Sequence, residues 1–123
     1  MKLLHIGITV SDLDAFENFY KSVFGFKKIK EIEEDDKTIR FVEKDKLWVE
    51  FIKYKREVQE QENKGNDILG YRHIAFHVDS IEEFYNHVKS LNIKSKEPKT
   101  FPSGEKRVKV WDPDGNLIEV YGR

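Results

Sequence analysis

Between Leu3 and Val10 apolar and polar positions alternate, with Ile6, Ile8 and Val10 on one face and His5, Gly7 and Thr9 on the other. That two-residue period predicts a strand with one face covered by something apolar. At Ser11 the period changes. Leu13, Phe16, Phe19, Tyr20 and Val23 recur at helical spacing, with Ser11 expected to cap the helix, Asp14 three residues on, and Gly25 to stop it. Strands are expected next over 26–33, 37–43 and 47–54, joined by the turns Glu34-Asp35-Asp36 and Lys44-Asp45-Lys46. The resulting order is βαβββ.

A polar segment, 55–70, reads as a linker, and beyond it the same order begins again. A strand is expected over 72–79, then a helix carrying Ile81, Phe84, Tyr85, Val88 and Leu91. Shorter strands follow near 93–96 and 106–111, and a last one over 116–121 after the turn Asp112-Pro113-Asp114-Gly115. Setting His5 on His73 is an offset of 68 (73 − 5), which also carries Val10 to Val78, Leu13 to Ile81 and Phe16 to Phe84. Such a period is too long and recurs too few times for a solenoid, so the chain is read as a duplicated supersecondary unit. Module one is 1–54 and module two 71–123, within one domain spanning 1–123.

Composition narrows the partners. With 123 residues, roughly two thirds of the unfolded surface can be buried without covalent staples. The absence of cysteine removes thiolate zinc sites, disulfides, iron–sulfur clusters and a cysteine nucleophile together. Lys and Arg number 22 against 23 Asp and Glu, interleaved, which argues against nucleic acid as a partner. No stretch reaches the ~20 apolar residues of a membrane span, and His5, Thr9, Asp12 and Asp14 break the opening as a secretion signal. A cytoplasmic protein with a small-molecule partner is expected.

Of the 14 glutamates, most lie in charged or turn contexts, where a solvated face is explanation enough. Glu50, between Val49 and Phe51, and Glu119, between Ile118 and Val120, do not. Strand alternation points each carboxylate away from an apolar pair that must face the helix, toward a side also carrying Trp48 and Ile52, or Leu117 and Tyr121. A carboxylate there wants a cation. His5 and His73 have the same placement in each module's first strand, 45 residues before Glu50 (50 − 5) and 46 before Glu119 (119 − 73). Two imidazoles and two carboxylates suit one borderline divalent ion, with nickel, cobalt, manganese or zinc all admitted. Along the same faces, Thr9, Trp48, Tyr54, His77 and Trp111 are candidate substrate contacts, His77 lying about 13 Å along the strand from His73. His87 is expected on the helix surface.

The segments Leu4-His5-Ile6-Gly7-Ile8, Phe19-Tyr20 to Gly25-Phe26, Tyr71-Arg72-His73-Ile74-Ala75-Phe76 and Asp112-Pro113-Asp114-Gly115-Asn116-Leu117-Ile118-Glu119 together resemble the vicinal oxygen chelate superfamily, over nearly the whole chain. The resemblance implies an α+β fold of paired βαβββ modules forming a U-shaped mixed sheet around a metal. Within that superfamily the chain is most similar to glyoxalase I, whose His, Glu, His, Glu ligand set falls here on His5, Glu50, His73 and Glu119. This implies a lyase or isomerase that chelates vicinal oxygens and stabilises an enediolate, with Glu119 as the base and Glu50 second. It also implies a homodimer with the site shared between subunits, which the unpaired sheet edges of one module pair favour on physical grounds.

Other members of the superfamily fit less well. Extradiol dioxygenases use two His and one carboxylate, methylmalonyl-CoA epimerase typically has Gln where Glu50 stands, and drug-binding resistance proteins of the bleomycin type need no metal. Glyoxalase I enzymes of this size typically place Arg and Asn, as glutathione contacts, where this chain has Thr9 and Tyr54. The sequence therefore leaves the thiol open, with Arg40, Arg72 and Arg107 as candidates to supply a charge from elsewhere.

Overall fold

The computed structural model describes residues 1–62 and 64–123, in two compact units, Met1–Glu60 and Gln61–Arg123. No helix among the described residues is long and apolar enough to cross a membrane.

In the first unit the chain runs β1 (His5–Thr9), α1 (Leu13–Phe24), β2 (Lys27–Glu33), β3 (Lys37–Lys44) and β4 (Leu47–Tyr54). The four strands form one mixed sheet in the order β1-β4-β3-β2, with β1 parallel to β4 and the other pairs antiparallel. The strand faces follow the alternation seen in the sequence. Val42, Val49 and Phe51 are buried, and the rings of Phe16 and Tyr20 lie 5.6 and 5.2 Å from that of Phe51. Aromatic pairs at such spacing add to the area they bury. The cap of α1 differs from expectation: Asp12 is the N-cap, its carboxylate accepting from the Ala15 N–H at 3.0 Å. An ionised acceptor also complements the helix dipole, which a serine cannot do. At the other end Gly25 takes φ 80°, a left-handed turn that returns its N–H to the last carbonyls of α1.

Arg40 belongs to this helix-packing side. Its guanidinium donates to Asp14 and Glu17 of α1 and to Glu31 of β2, at 2.7, 2.8 and 2.7 Å. Burial works against its charge, but these carboxylates outweigh it and hold the guanidinium more firmly protonated.

The second unit repeats the plan: β5 (Ile74–His77), α2 (Ile81–Ser90), β6 (Ser95–Thr100), β7 (Lys106–Trp111) and β8 (Leu117–Gly122), in the sheet order β5-β8-β7-β6. Ser80 caps α2 by accepting from the Glu83 N–H. The core is mainly aliphatic, with Ile81, Val88, Val108, Val110, Ile118 and Val120 buried beside the ring of Phe84. A Cβ at Gly122 would meet the Val78 carbonyl at 2.3 Å, so two backbones approach there as only glycine allows. Strand β6 lies over Ser95–Thr100 rather than 93–96, because the Ile93 N–H returns to the Val88 carbonyl and still belongs to the helix end. Pro98 falls where the β6–β7 register skips between Lys96 and Lys99, so no ladder donor is demanded of it. His87 is exposed on α2, as expected.

Asp112 is buried at the β7–β8 turn and accepts from the backbone N–H groups of Asp114 and Asn116 and from the Asn116 amide. Burial pushes its carboxyl above the ordinary value, with those hydrogen bonds opposing.

Candidate metal centre

In each unit one predicted histidine and one predicted glutamate come together, while Thr9, Tyr54, His77 and Trp111 have no contact with either pair among those described. In the first, β1 pairs with β4 as His5 with Trp48, Gly7 with Glu50 and Thr9 with Ile52, while Phe41 of β3 is the other neighbour of Glu50. All lie on the sheet face opposite α1. His5 Nε2 is 3.8 Å from Glu50 Oε1. A Cβ at Gly7 would come within 3.2 Å of that oxygen, so the missing side chain leaves the carboxylate its room.

The surroundings of this first pair are aromatic. The His5 ring stands edge-on to Phe41, and Phe41 to Trp48. Trp48 Nε1 donates to Glu43 at 2.8 Å, and Lys30 Nζ lies over the rings of Phe41 and Trp48. Thr9 is exposed at the end of β1. Tyr54, at the end of β4, has Lys37 Nζ and the Arg56 guanidinium over its ring.

In the second unit, β5 pairs with β8 as Ala75 with Glu119 and His77 with Tyr121. Strand β7 brings Lys109 against Glu119, Arg107 against Tyr121 and Trp111 against Leu117. His73 Nε2 is 3.4 Å from Glu119 Oε1, and its Nδ1 is 3.0 Å from the Asn66 side-chain oxygen. A proton on Nδ1, given to Asn66, leaves the Nε2 lone pair for a cation. Glu119 is buried, only 6% exposed, and the Tyr121 hydroxyl donates to its Oε1 at 2.9 Å. Tyr121 stacks on Phe101, and the Arg107 guanidinium lies over the Phe101 ring with Nη1 3.9 Å from Glu119 Oε2. His77 is exposed, and Trp111 is half-buried beneath Lys94 Nζ.

Each unit thus carries one His–Glu pair, His5 with Glu50 and His73 with Glu119. Within neither unit do the described residues bring a third such side chain into a group that could hold a metal. The donor chemistry of the two pairs, imidazole nitrogen and carboxylate oxygen, fits a borderline divalent ion.

The three arginines named as candidate charges separate cleanly. Arg40 is engaged on the helix side, and Arg72 donates to the carbonyls of Tyr71 and Gly65. Arg107 shares the face of Glu119. Two contacts escaped sequence reading. Asn66 lies in the polar linker, whose path no periodicity reveals. The Tyr121 hydroxyl had a signal, because it stands two strand positions after Glu119 and so on its face.

Residues 2–120 match the family model described as the Glyoxalase/Bleomycin resistance protein/Dioxygenase superfamily. The chain is 32% identical over 127 residues to the probable trivalent organoarsenical cleaving enzyme of Bacillus subtilis, covering 98% of this chain and 80% of that protein. It is 30% identical to the metallothiol transferase FosB of Staphylococcus saprophyticus, covering 95% of this chain and 74% of that one. Among solved structures, a glyoxalase family protein from Enterococcus faecalis superposes with a TM-score of 0.84 at 24% identity, covering 98% of this chain and 96% of that one. The fosfomycin resistance protein FosX from Listeria monocytogenes, complexed with Mn(II) and sulfate, gives 0.73 at 20% identity, covering 99% and 92%. Lactoylglutathione lyase from Agrobacterium tumefaciens gives 0.72 at 22% identity, covering 98% and 92%. At these identities the structural likenesses establish the fold.

Proposed function

The chain belongs to the glyoxalase/bleomycin resistance protein/dioxygenase superfamily, and from that premise we propose that it is a metal-dependent lyase or isomerase of the lactoylglutathione lyase type. The carrying observation is the repeated His–Glu pair, His5 opening β1 with Glu50 of β4, and His73, which immediately precedes β5 and does not lie within it as the sequence suggested, with Glu119 of β8. Together these four side chains would hold one divalent ion, for which nickel, cobalt, manganese and zinc are the candidates. When bound, it supplies Lewis acidity to a substrate carrying vicinal oxygens, such as the hemithioacetal of a 2-oxoaldehyde. Glu119 takes the proton from the carbon beside the carbonyl and returns it to the neighbouring carbon, with Glu50 as the second carboxylate. The Tyr121 hydroxyl, bonded to Oε1, orients Glu119 for that transfer. Thr9, Trp48, Tyr54, His77 and Trp111 are assigned to the substrate.

We further propose a cytoplasmic homodimer whose subunits share the site. Supporting it, β1 and β5 are edge strands, and Leu3, Leu4, Leu69 and Tyr71 beside them are strongly exposed. The activity of the arsenical-cleaving relative is not carried over: trivalent arsenic is a soft centre that favours thiolates, and this chain has no cysteine.

The test has two parts. Metal analysis of purified protein should find one divalent ion per site, diminished in His5→Ala and His73→Ala. Steady-state assays with the glutathione–methylglyoxal hemithioacetal, and with the same aldehyde adduct of another small thiol, should show turnover of at least one. Full metal retention in all four single alanine variants at His5, Glu50, His73 and Glu119 overturns the ligand set. Absence of turnover with every adduct overturns the reaction.

A further inference from the structure

We infer that Arg107 binds an acidic group of the substrate itself, a carboxylate or phosphonate close to the reacting carbons; this rests on the metal-centre reading above. The guanidinium is positioned but not satisfied. It lies 5.5 Å over the Phe101 ring, and its Nε is buried without a hydrogen-bond partner among the described residues. A buried N–H left unpaired is costly, and native proteins keep few of them. The neighbouring carboxylate does not supply the missing acceptor, because Arg107 Nη1 and Glu119 Oε2 are 3.9 Å apart, beyond hydrogen-bond reach.

Charge points the same way. Two carboxylates balance a divalent cation, so once Glu119 serves as a ligand, the positive charge of Arg107 stands uncompensated. Strand register adds to the excess, pairing Lys109 with Glu119 and Lys99 with Arg107. A planar fork of donors beside such an excess matches an oxyanion. Because the Arg107 guanidinium comes within 3.9 Å of the Glu119 carboxylate, the acid it takes lies next to the chelated oxygens and not at the far end of a thiol cofactor.

Isothermal titration calorimetry on Mn(II)-loaded protein tests this with methylphosphonate, lactate and glutathione as probes. Wild type should bind methylphosphonate or lactate, Arg107→Gln should weaken that binding by about tenfold or more with metal content unchanged, and Arg107→Lys should keep part of it. Thermal melts confirm that both variants fold. Equal affinity in wild type and Arg107→Gln overturns the inference, as does binding of glutathione alone. Should wild type take up no metal, the metal-centre reading fails separately, and the same titrations on metal-free protein still decide: loss of small-acid binding in Arg107→Gln upholds the role of Arg107, and its absence in wild type refutes it.

Discussion

The two modules share a strand order, a helix position and a His–Glu pair, yet the carboxylates stand in different company. Glu50 lies beside a glycine and an aromatic cluster of Phe41 and Trp48, with His5 3.8 Å away. Glu119 is buried, accepts from Tyr121, has His73 at 3.4 Å and faces Arg107. Duplication of a backbone pattern therefore reproduces where a carboxylate is placed without reproducing what surrounds it. In the proposed reaction the surroundings would divide the labour: a held carboxylate suits directed proton transfer, and one with free space suits adjustable ligation. The cores diverge as well, several rings packing with valines beneath the first sheet and mainly branched aliphatics, with the single ring of Phe84, beneath the second.

The division of labour meets its severest test in the two glutamates. Glu119→Gln should retain some metal and lose about 10²–10⁴-fold in turnover, the usual worth of a positioned base, while Glu50→Gln should lose metal affinity more than it loses turnover per bound metal. Metal-normalised kcat values decide, and a larger kcat loss in Glu50→Gln would reverse the roles.

Core divergence gives the next largest effect. Phe51→Ala removes the ring on which Phe16 and Tyr20 pack and should cost about 3–5 kcal/mol, whereas Val120→Ala, with fewer atoms to lose, should cost about 2 kcal/mol. Urea unfolding of both variants measures this, and equal losses would mean that the two cores respond alike.

Arg40 has no counterpart in the second module, where the offset of 68 places Val108. Replacing it by Met leaves Asp14, Glu17 and Glu31 without their common partner and should cost about 2–3 kcal/mol, since the hydrogen bonds lost are charge-assisted. High salt should narrow the difference from wild type; a gap that does not change with salt would assign the loss to packing alone.

The smallest effect concerns Asp112 and pH. Because burial raises its carboxyl above the ordinary 3.8, the folded state holds that proton more tightly than the unfolded chain. The resulting stability is present in full below 3.8 and is lost as pH rises through the higher folded value. Asp112→Asn removes this dependence, so the stability of wild type relative to the variant should fall with rising pH. A flat difference between pH 3 and pH 7 would exclude it.

Much of this organisation was legible in the chain. The change of period at Ser11, the recurrence after 68 residues and the alternation around Glu50 and Glu119 carried the element order and the face of each pair, because one-sided burial writes itself into sequence. Other features were hidden for identifiable reasons. Strand β6 is polar along its length and supplies no apolar period. Ser11 and Asp12 are both good caps, and only the backbone angles choose between them. The sequence left the face of Arg107 open, and its closeness to Glu119 is a matter of register between two strands, which neither strand encodes alone.

Gly7 sets the position of Glu50 by lacking an atom. Its backbone does not require glycine through a left-handed turn, so alanine is sterically permitted there except for one neighbour, the Glu50 oxygen 3.2 Å from where the methyl would stand. Residue 7 is therefore a tuning position: one methyl group would move a proposed ligand oxygen by a few tenths of an ångström without altering any ligand. Ala75 already carries that methyl at the matching place beside Glu119. The duplicated frame holds both settings of the same adjustment, and exchanging them, Gly7→Ala with Ala75→Gly, would shift the geometry of the two His–Glu pairs in opposite directions.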